Sequence, residues 1–293
     1  MSQLIAMFCE IDDFCKVFEP IYEQHLITTA AKLRRRQTHL TRSEIMTLVV
    51  DFPRSHYRDF KAYYLLHATK HLRHYFPNLV SYHRFVDLMP RTLLPLSIYL
   101  KTRFGANTGI AFIDSTPIAV CHNRRIQSHK VFENLAQRGK TSMGWFYGFK
   151  LHLVINDEGE LLACHVTSGN VDDRAPVGLL SRALVGQLFG DKGYISQPLH
   201  DELLGQGLEL LTGIRKNMKP RLLRLWDKLM LRKRVVIETV NDQLKNISQI
   251  EHTRHRSLTG FMVNLVAGLI AYTYHPTKPS LGLRDQQRLT TMA

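Results

Sequence analysis

Gly109-Ile-Ala-Phe-Ile-Asp114 is a short apolar run closed by a carboxylate, and its length and composition predict a buried strand. Phe149–Ile155 and Leu161–Thr167 are two further strand-like runs, joined by Asn156-Asp-Glu-Gly159, a loop of hairpin composition. Asp173 is then placed to cap a helix that takes Pro176 into its first turn and continues through Leu179, Leu180 and Leu184. The run Gln187-Leu-Phe-Gly-Asp191 reads as the next strand and Leu208–Ile214 as another, before the chain turns basic and then helical to about Tyr274. Strands in this order, interleaved with helices, predict a mixed α/β (α+β) sheet flanked by helices.

Upstream, residues 1 to about 104 have helical spacing and few strand-like runs, so an all-helical domain is expected there. Thr41-Arg42-Ser43-Glu44 has the form of a capping box ahead of Ile45, Leu48 and Val49, and Ser81 opens a further helix through Phe85, Val86 and Met89. Such short helices suit a helix-turn-helix and suit a plain bundle equally well. The triplet Arg34-Arg35-Arg36 favours phosphate contact. The expected division is therefore 1–104 helical, 105–275 as the mixed-sheet domain with a basic insert at about 215–233, and 276–293 as a tail.

Composition narrows the partners. The 293 residues carry 39 Lys+Arg against 25 Asp+Glu, a net charge of +14, which favours a polyanion. Cys9, Cys15, Cys121 and Cys164 share no CxxC spacing, so neither a zinc site nor a disulfide framework is expected. The N-terminus lacks the basic region of a secretory signal. Leu258–Tyr274 contains Thr259, Gly260 and Asn264 and is too short to span a bilayer, so it reads as a buried core helix. A reducing, cytoplasmic compartment fits these features.

Asp114 and Asp191 each close an apolar run, where open sheets place their sites; either alone also reads as a turn-forming Asp. Arg234, Glu238 and Lys245 follow at offsets of four and then seven residues, which on one helix sets them within roughly 40° of one another. Val235, Val236 and Ile237 beside the Glu indicate a helix partly buried against the sheet. Three acids in an apolar setting repel one another unless a cation shares them, and all-oxygen ligation selects Mg2+ or Mn2+, two ions serving an in-line attack on phosphorus. Residues 215–234 hold nine Lys or Arg against the single carboxylate Asp227, a density that asks for a phosphate backbone. Arg221, Arg224, Lys228 and Arg232 are its candidate contacts. Trp226 is placed either to stack on a base or to anchor the insert.

The motifs Ile113-Asp114-Ser115-Thr116-Pro117, Gly148-Phe-Lys-Leu-His152, Asp191-Lys-Gly-Tyr194 and Arg234-x3-Glu238-x6-Lys245 resemble, in order and spacing, the DDE transposases of bacterial insertion sequences, and among these the group called insertion-sequence family 982. Gly144-Trp-Phe-Tyr-Gly148, Gly169-Asn-Val-Asp-Asp-Arg174, Arg215-Lys-Asn-Met-Lys219 and His252-Thr-Arg-His-Arg-Ser257 extend the likeness from about Thr41 to Tyr274. The family's last motif begins with a Tyr where this chain has Leu231.

The resemblance implies an RNase H-like (retroviral-integrase-type) domain in which Asp114, Asp191 and Glu238 hold two Mg2+ or Mn2+ ions. Arg234 and Lys245 would grip transposon-end phosphates, with Lys150 and Lys192 as neighbours, and Asp172 and Asp173 would cap a helix. It further implies binding to the terminal inverted repeats and to target double-stranded DNA as a homodimer or higher oligomer, with 3′-end cleavage and joining. A nuclease or resolvase without strand transfer, and a non-enzymatic DNA-binding regulator, are the alternatives.

Overall fold

The computed structural model describes residues 3–28, 38–142, 144–215, 218, 222–251 and 255–283. The arginine triplet at 34–36, Arg221, most of the 215–219 motif and the first half of the 252–257 motif lie outside the described residues. The chain forms two compact units: Met1–Arg103 with Leu244–Tyr274, and Phe104–Gln243 with His275–Ala293.

The described part of the first unit is helical. Thr41 caps the Arg42–Arg54 helix with a complete capping box: its Oγ1 accepts the Glu44 N–H at 3.1 Å, and Glu44 Oε2 accepts the Thr41 N–H at 2.7 Å. Ser81 caps Tyr82–Leu88. The Leu258–Thr273 helix, capped by Ser257, is buried from Phe261 onward on nearly every side and packs against Arg42–Arg54 and Leu93–Thr102, as a helix apolar all round must be. No described helix is long and apolar enough to cross a membrane. The compact units thus divide the chain differently from the expected segments, because Leu244–Tyr274 finds its apolar cover among the N-terminal helices.

The second unit is built on a six-stranded mixed sheet: β1 Ile110–Cys121, β2 Gln137–Thr141, β3 Gly144–Asn156, β4 Leu161–Ser168, β5 Gly186–Gly190 and β6 Leu208–Thr212. Flanked by helices, it is the RNase H-like arrangement expected of the sequence. β1 runs antiparallel to β3 from Ala111↔Asn156 to Cys121↔Tyr147, but parallel to β5 only over Ile110–Phe112. β5 continues the sheet in parallel with β6. The far edge of β3 is divided, its Gly144–Gly148 part pairing with β2 and the rest with β4. The β3–β4 turn forms where expected: Asn156 Oδ1 accepts the N–H groups of Glu158 at 3.0 Å and Glu160 at 2.9 Å, and Gly159 takes φ +72°.

Period-2 alternation then sorts the sheet's two faces. Ala111, Ile113, Leu188, Leu208 and Leu210 join Val177, Leu180 and Leu203 in one apolar core. Phe112 stacks on Phe189 on the opposite face, and there the helices Leu225–Lys233 and Val235–Asn246 meet the sheet. Trp226 Nε1 donates to Gln187 Oε1 at 3.3 Å, and Asn241 Nδ2 donates to Asp114 Oδ2 at 3.0 Å.

Three local expectations change. The strand expected to end at Asp114 continues to Cys121. The helix expected after Asp173 is only Val177–Leu180, with Pro176 at its N-cap and no side-chain cap, because Asp173 is drawn into an ion pair with Lys150. Arg234 stands between two helices rather than inside one; the β-branched run Val235-Val236-Ile237 crowds the turn that would join them.

His152 in β3 is fully buried, with Nε2 2.8 Å from Thr167 Oγ1. Burial pushes its pKa down from 6.5 to about 4, the Asp173 charge acting the other way. A histidine depressed in the folded state is protonated first in the unfolded chain, so its contribution to stability is present above pH 6.5 and lost as pH falls towards 4. Urea unfolding between pH 7 and pH 4.5 is expected to show wild type losing up to about 3 kcal/mol more than His152→Gln; parallel losses would contradict this.

Candidate active site

The parallel register Ile110↔Gln187 to Phe112↔Phe189, continued by two residues, sets Asp114 level with Asp191, the residue that follows β5. Neighbouring strands lie about 4.8 Å apart, so topology alone brings the two carboxylates together at the point where β1 loses β5 as a partner. Asp191 Oδ1 accepts the Gly193 N–H at 2.8 Å and so caps the turn Lys192–Tyr194. That turn lays the buried Tyr194 ring over Gly190, where an added Cβ would come within 3.1 Å of it. Burial first, then the charges of Asp114, Asp173 and Asp191, push the Tyr194 hydroxyl far above its ordinary range.

Glu238 lies in the first turn of the Val235–Asn246 helix, half exposed, and its Oε1 accepts from Arg234 Nη2 at 2.7 Å. Asn241, three residues on, falls on the same helix face and donates to Asp114 Oδ2. Burial pushes the Asp114 carboxyl up to about 7; the Arg234 guanidinium and the Ser115 backbone N–H pull it down, and the negative charges of Asp191 and Glu238 push it up. Asp114, Asp191 and Glu238 are therefore within electrostatic reach of one another, with Arg234 among them.

The donors are all carboxylate oxygens and the local charge is in excess, a setting that fits a hard divalent cation. Asn241 Oδ1, buried beside Asp114 and without a hydrogen-bond partner among the described residues, is a further oxygen of the same kind. As the side chains stand, no three His, Cys, Asp or Glu residues among those described are gathered closely enough to hold a metal. Asp191 is turned to the Gly193 N–H and Glu238 to Arg234.

The expected DNA-contacting residues divide into exposed and engaged groups. Arg224, Lys228 and Arg232 are exposed on or beside the Leu225–Lys233 helix. Asp227, the one carboxylate of that run, is buried and accepts from Gln187 Nε2 at 3.3 Å. The outer surface of this stretch is thus left cationic. Trp226 is 42% exposed, with its N–H tied to Gln187. Lys192 is exposed next to Asp191, and its carbonyl accepts from Arg215 Nη2 at 3.0 Å. Lys150 is 11% exposed and held by Asp173 Oδ1 and the Val171 carbonyl, each at 2.8 Å. Lys245, seven residues beyond Glu238 on the same helix, pairs with Glu251 at 3.2 Å. Asp172 clasps the Arg174 guanidinium through both carboxylate oxygens, at 2.8 and 2.7 Å, instead of capping a helix.

Asn241 is the residue that sequence reasoning did not reach. Its signal was available in the spacing, since a polar residue three positions after Glu238 must share its face of the helix.

A family profile described as transposase DDE domain matches residues 104–258. Searches of the curated proteins and of the solved structures find no match.

An acid whose pKa is raised on folding contributes stability below its unfolded value, 3.8, that is lost as pH rises through about 7. Without divalent metal, Asp114→Asn is therefore expected to be more stable than wild type at pH 8, by up to about 4 kcal/mol, with the difference gone near pH 4. Thermal unfolding at the two pH values measures it, and equal stabilities at pH 8 would show that Asp114 is not under this strain.

Proposed function

This chain belongs to the transposase DDE-domain family, and from that premise we propose that it acts on the ends of an insertion sequence of the group called family 982. It binds the terminal inverted repeats, hydrolyses the phosphodiester at each 3′ end of the element, and joins the freed 3′-hydroxyl to target DNA by transesterification. The observation that carries this reading is the placement of Asp114 on the sheet, level with Asp191 and beneath the helix that bears Glu238, with its carboxyl pushed up to about 7 by burial and by its two acidic neighbours.

Asp114, Asp191 and Glu238 would hold Mg2+ or Mn2+, Asp191 and Glu238 exchanging the Gly193 N–H and Arg234 for the cation. Divalent ions at these oxygens supply a lowered pKa for the attacking water or hydroxyl and charge compensation at the leaving oxygen. Arg234, beside Glu238, is placed to bind a phosphate of the element's end, and Asn241 fixes the rotamer of Asp114 through its Nδ2. Arg224, Lys228 and Arg232, with Lys192 beside Asp191, hold the duplex by its backbone. Trp226 supplies a half-open aromatic face. Two ends have to be held while both are cut, so a dimer or higher oligomer on DNA follows from the task.

Purified protein, a labelled inverted-repeat end, a target plasmid and Mg2+ test the reaction. Cleaved ends and joined product are expected from wild type. Glu238→Gln is expected to lower both by about a thousandfold, roughly 4 kcal/mol of barrier, while binding the end as tightly as wild type. Cleavage without joining would identify a nuclease instead, and an active Glu238→Gln would identify a regulator whose function does not need these acids.

Binding to the same duplex is expected to weaken steeply with salt. Neutralising Arg224, Lys228 and Arg232 together should reduce the slope of log K against log salt by about three, one for each phosphate left without its cation. Lys150→Met, which removes a cation already committed to Asp173, should leave the slope as it is. An unchanged slope in the triple variant would remove the helical insert from the DNA surface.

A further inference from the structure

The second unit also contains a cleft of about 480 Å3 between the β2–β3 hairpin and the loop that follows β4. On the hairpin side, register sets Lys140 opposite Trp145, and Lys140 Nζ lies 5.7 Å from the indole centroid. Trp145 is nonetheless 59% exposed, a large aromatic held in solvent on a two-stranded ribbon, where burying it would have been the favourable course. Arg138, two positions before Lys140, points to the same face. Arg138 and Lys140 are exposed and have no ion pair among the described residues. The cleft's two carboxylates, Asp172 and Asp173, are by contrast taken up by Arg174 and Lys150. Gly193 and Arg215 also line it, and Gly193 is the residue whose N–H Asp191 holds. The cleft therefore carries unpaired positive charge beside an open aromatic face and adjoins the acidic site at Gly193.

We propose that this cleft takes the unpaired strand at a DNA end. One base stacks on Trp145, the phosphates on either side lie against Arg138, Lys140 and Arg215, and the strand passes Gly193 on its way to Asp191. An indole stacks on an open base face, which a duplex offers only at its blunt end and an unpaired strand offers at each base, and every base has a π-face, so the site favours unpaired strands without reading sequence. Its volume is that of a small-ligand pocket, enough for a nucleotide or two and too small for a duplex. The inference rests on the reading of the acidic site as the place where DNA ends are processed, and it gives Gly144-Trp-Phe-Tyr-Gly148 a role that the acids and the basic helix do not supply.

The test is binding in EDTA of two probes, a blunt duplex and the same duplex with a short unpaired extension. Wild type is expected to bind the extended probe about tenfold more tightly. Trp145→Ala should bind both alike, and Trp145→Phe should keep most of the gain, since a stacked base is worth roughly 1–3 kcal/mol and tenfold is 1.4. Equal affinities in wild type, or a gain that survives Trp145→Ala, would overturn the proposal. Should Trp145→Ala unfold, the Trp226→Phe protein decides, because Trp145 is then the one indole left of two: quenching by the extended probe alone supports the site, and no quenching overturns it. Mg2+-dependent end cleavage by wild type is scored separately and judges the underlying reading without reference to Trp145.

Discussion

Like charges crowded into low dielectric raise one another's pKa, and this conflict at Asp114 is what the second unit is organised around. A lone carboxylate at the edge of an apolar sheet would relax by turning into solvent. Asp114 does not turn: Asn241 holds its Oδ2, and burial together with Asp191 and Glu238 leaves it ionised only in part near neutrality. Each of the three acids has compensating contacts: the Asn241 amide and the Ser115 backbone N–H for Asp114, the Gly193 N–H for Asp191 and a guanidinium for Glu238. Neutral donors weaken the repulsion without removing it, and one cation, Arg234, is shared between Glu238 and Asp114. The arrangement is stable enough to fold and still short of positive charge, the condition under which an added cation gains most.

The sheet creates that position by changing partners along β1. Up to Phe112 the strand is central, with β3 on one side and β5 on the other; beyond it only β3 remains. Asp114 sits just past the change, where one side of the strand is open. The same change explains how Pro117 is accommodated four residues before the end of β1. A proline in a central strand forfeits a ladder hydrogen bond, whereas on an edge its missing N–H faces no partner. Opening the sheet beside Asp114 and placing Pro117 after it are two consequences of one topological event.

Much of this was legible because the strands β1, β3, β4, β5 and β6 are apolar and bounded by Gly, Asn or Asp. The capping residues Thr41 and Ser81 were legible because caps are local chemistry. β2 was not, since Gln137-Arg-Gly-Lys-Thr141 has no apolar alternation and owes its pairing to half of one edge of β3. The end of β1 was misplaced because Asp114-Ser-Thr-Pro117 has turn composition, and only the loss of β5 as a neighbour makes that composition acceptable in a strand. Arg234, Glu238 and Lys245 share a spacing that the sequence displays plainly, yet the break at Arg234 and the pairing of Lys245 with Glu251 depend on tertiary surroundings. Asp173 shows the same limit: its capping chemistry was available, and the partly buried Lys150 outcompeted it.

The distribution of the remaining charge follows a consistent rule. Within the basic stretch the lone acid, Asp227, is buried on Gln187, and around the cleft the acids Asp172 and Asp173 are neutralised in place by Arg174 and Lys150. Exposed acids would have satisfied the neighbouring cations and made them poor ligands for phosphate, since an ion pair already formed must be broken before a new one is made. By taking the acids inward or pairing them off, the fold leaves Arg224, Lys228, Arg232, Arg138 and Lys140 exposed. Their mutual repulsion costs some stability in the free protein and is relieved when a polyanion displaces its own counterions onto them. Part of the +14 of the sequence is thus held by cations whose neighbouring acids have been withdrawn.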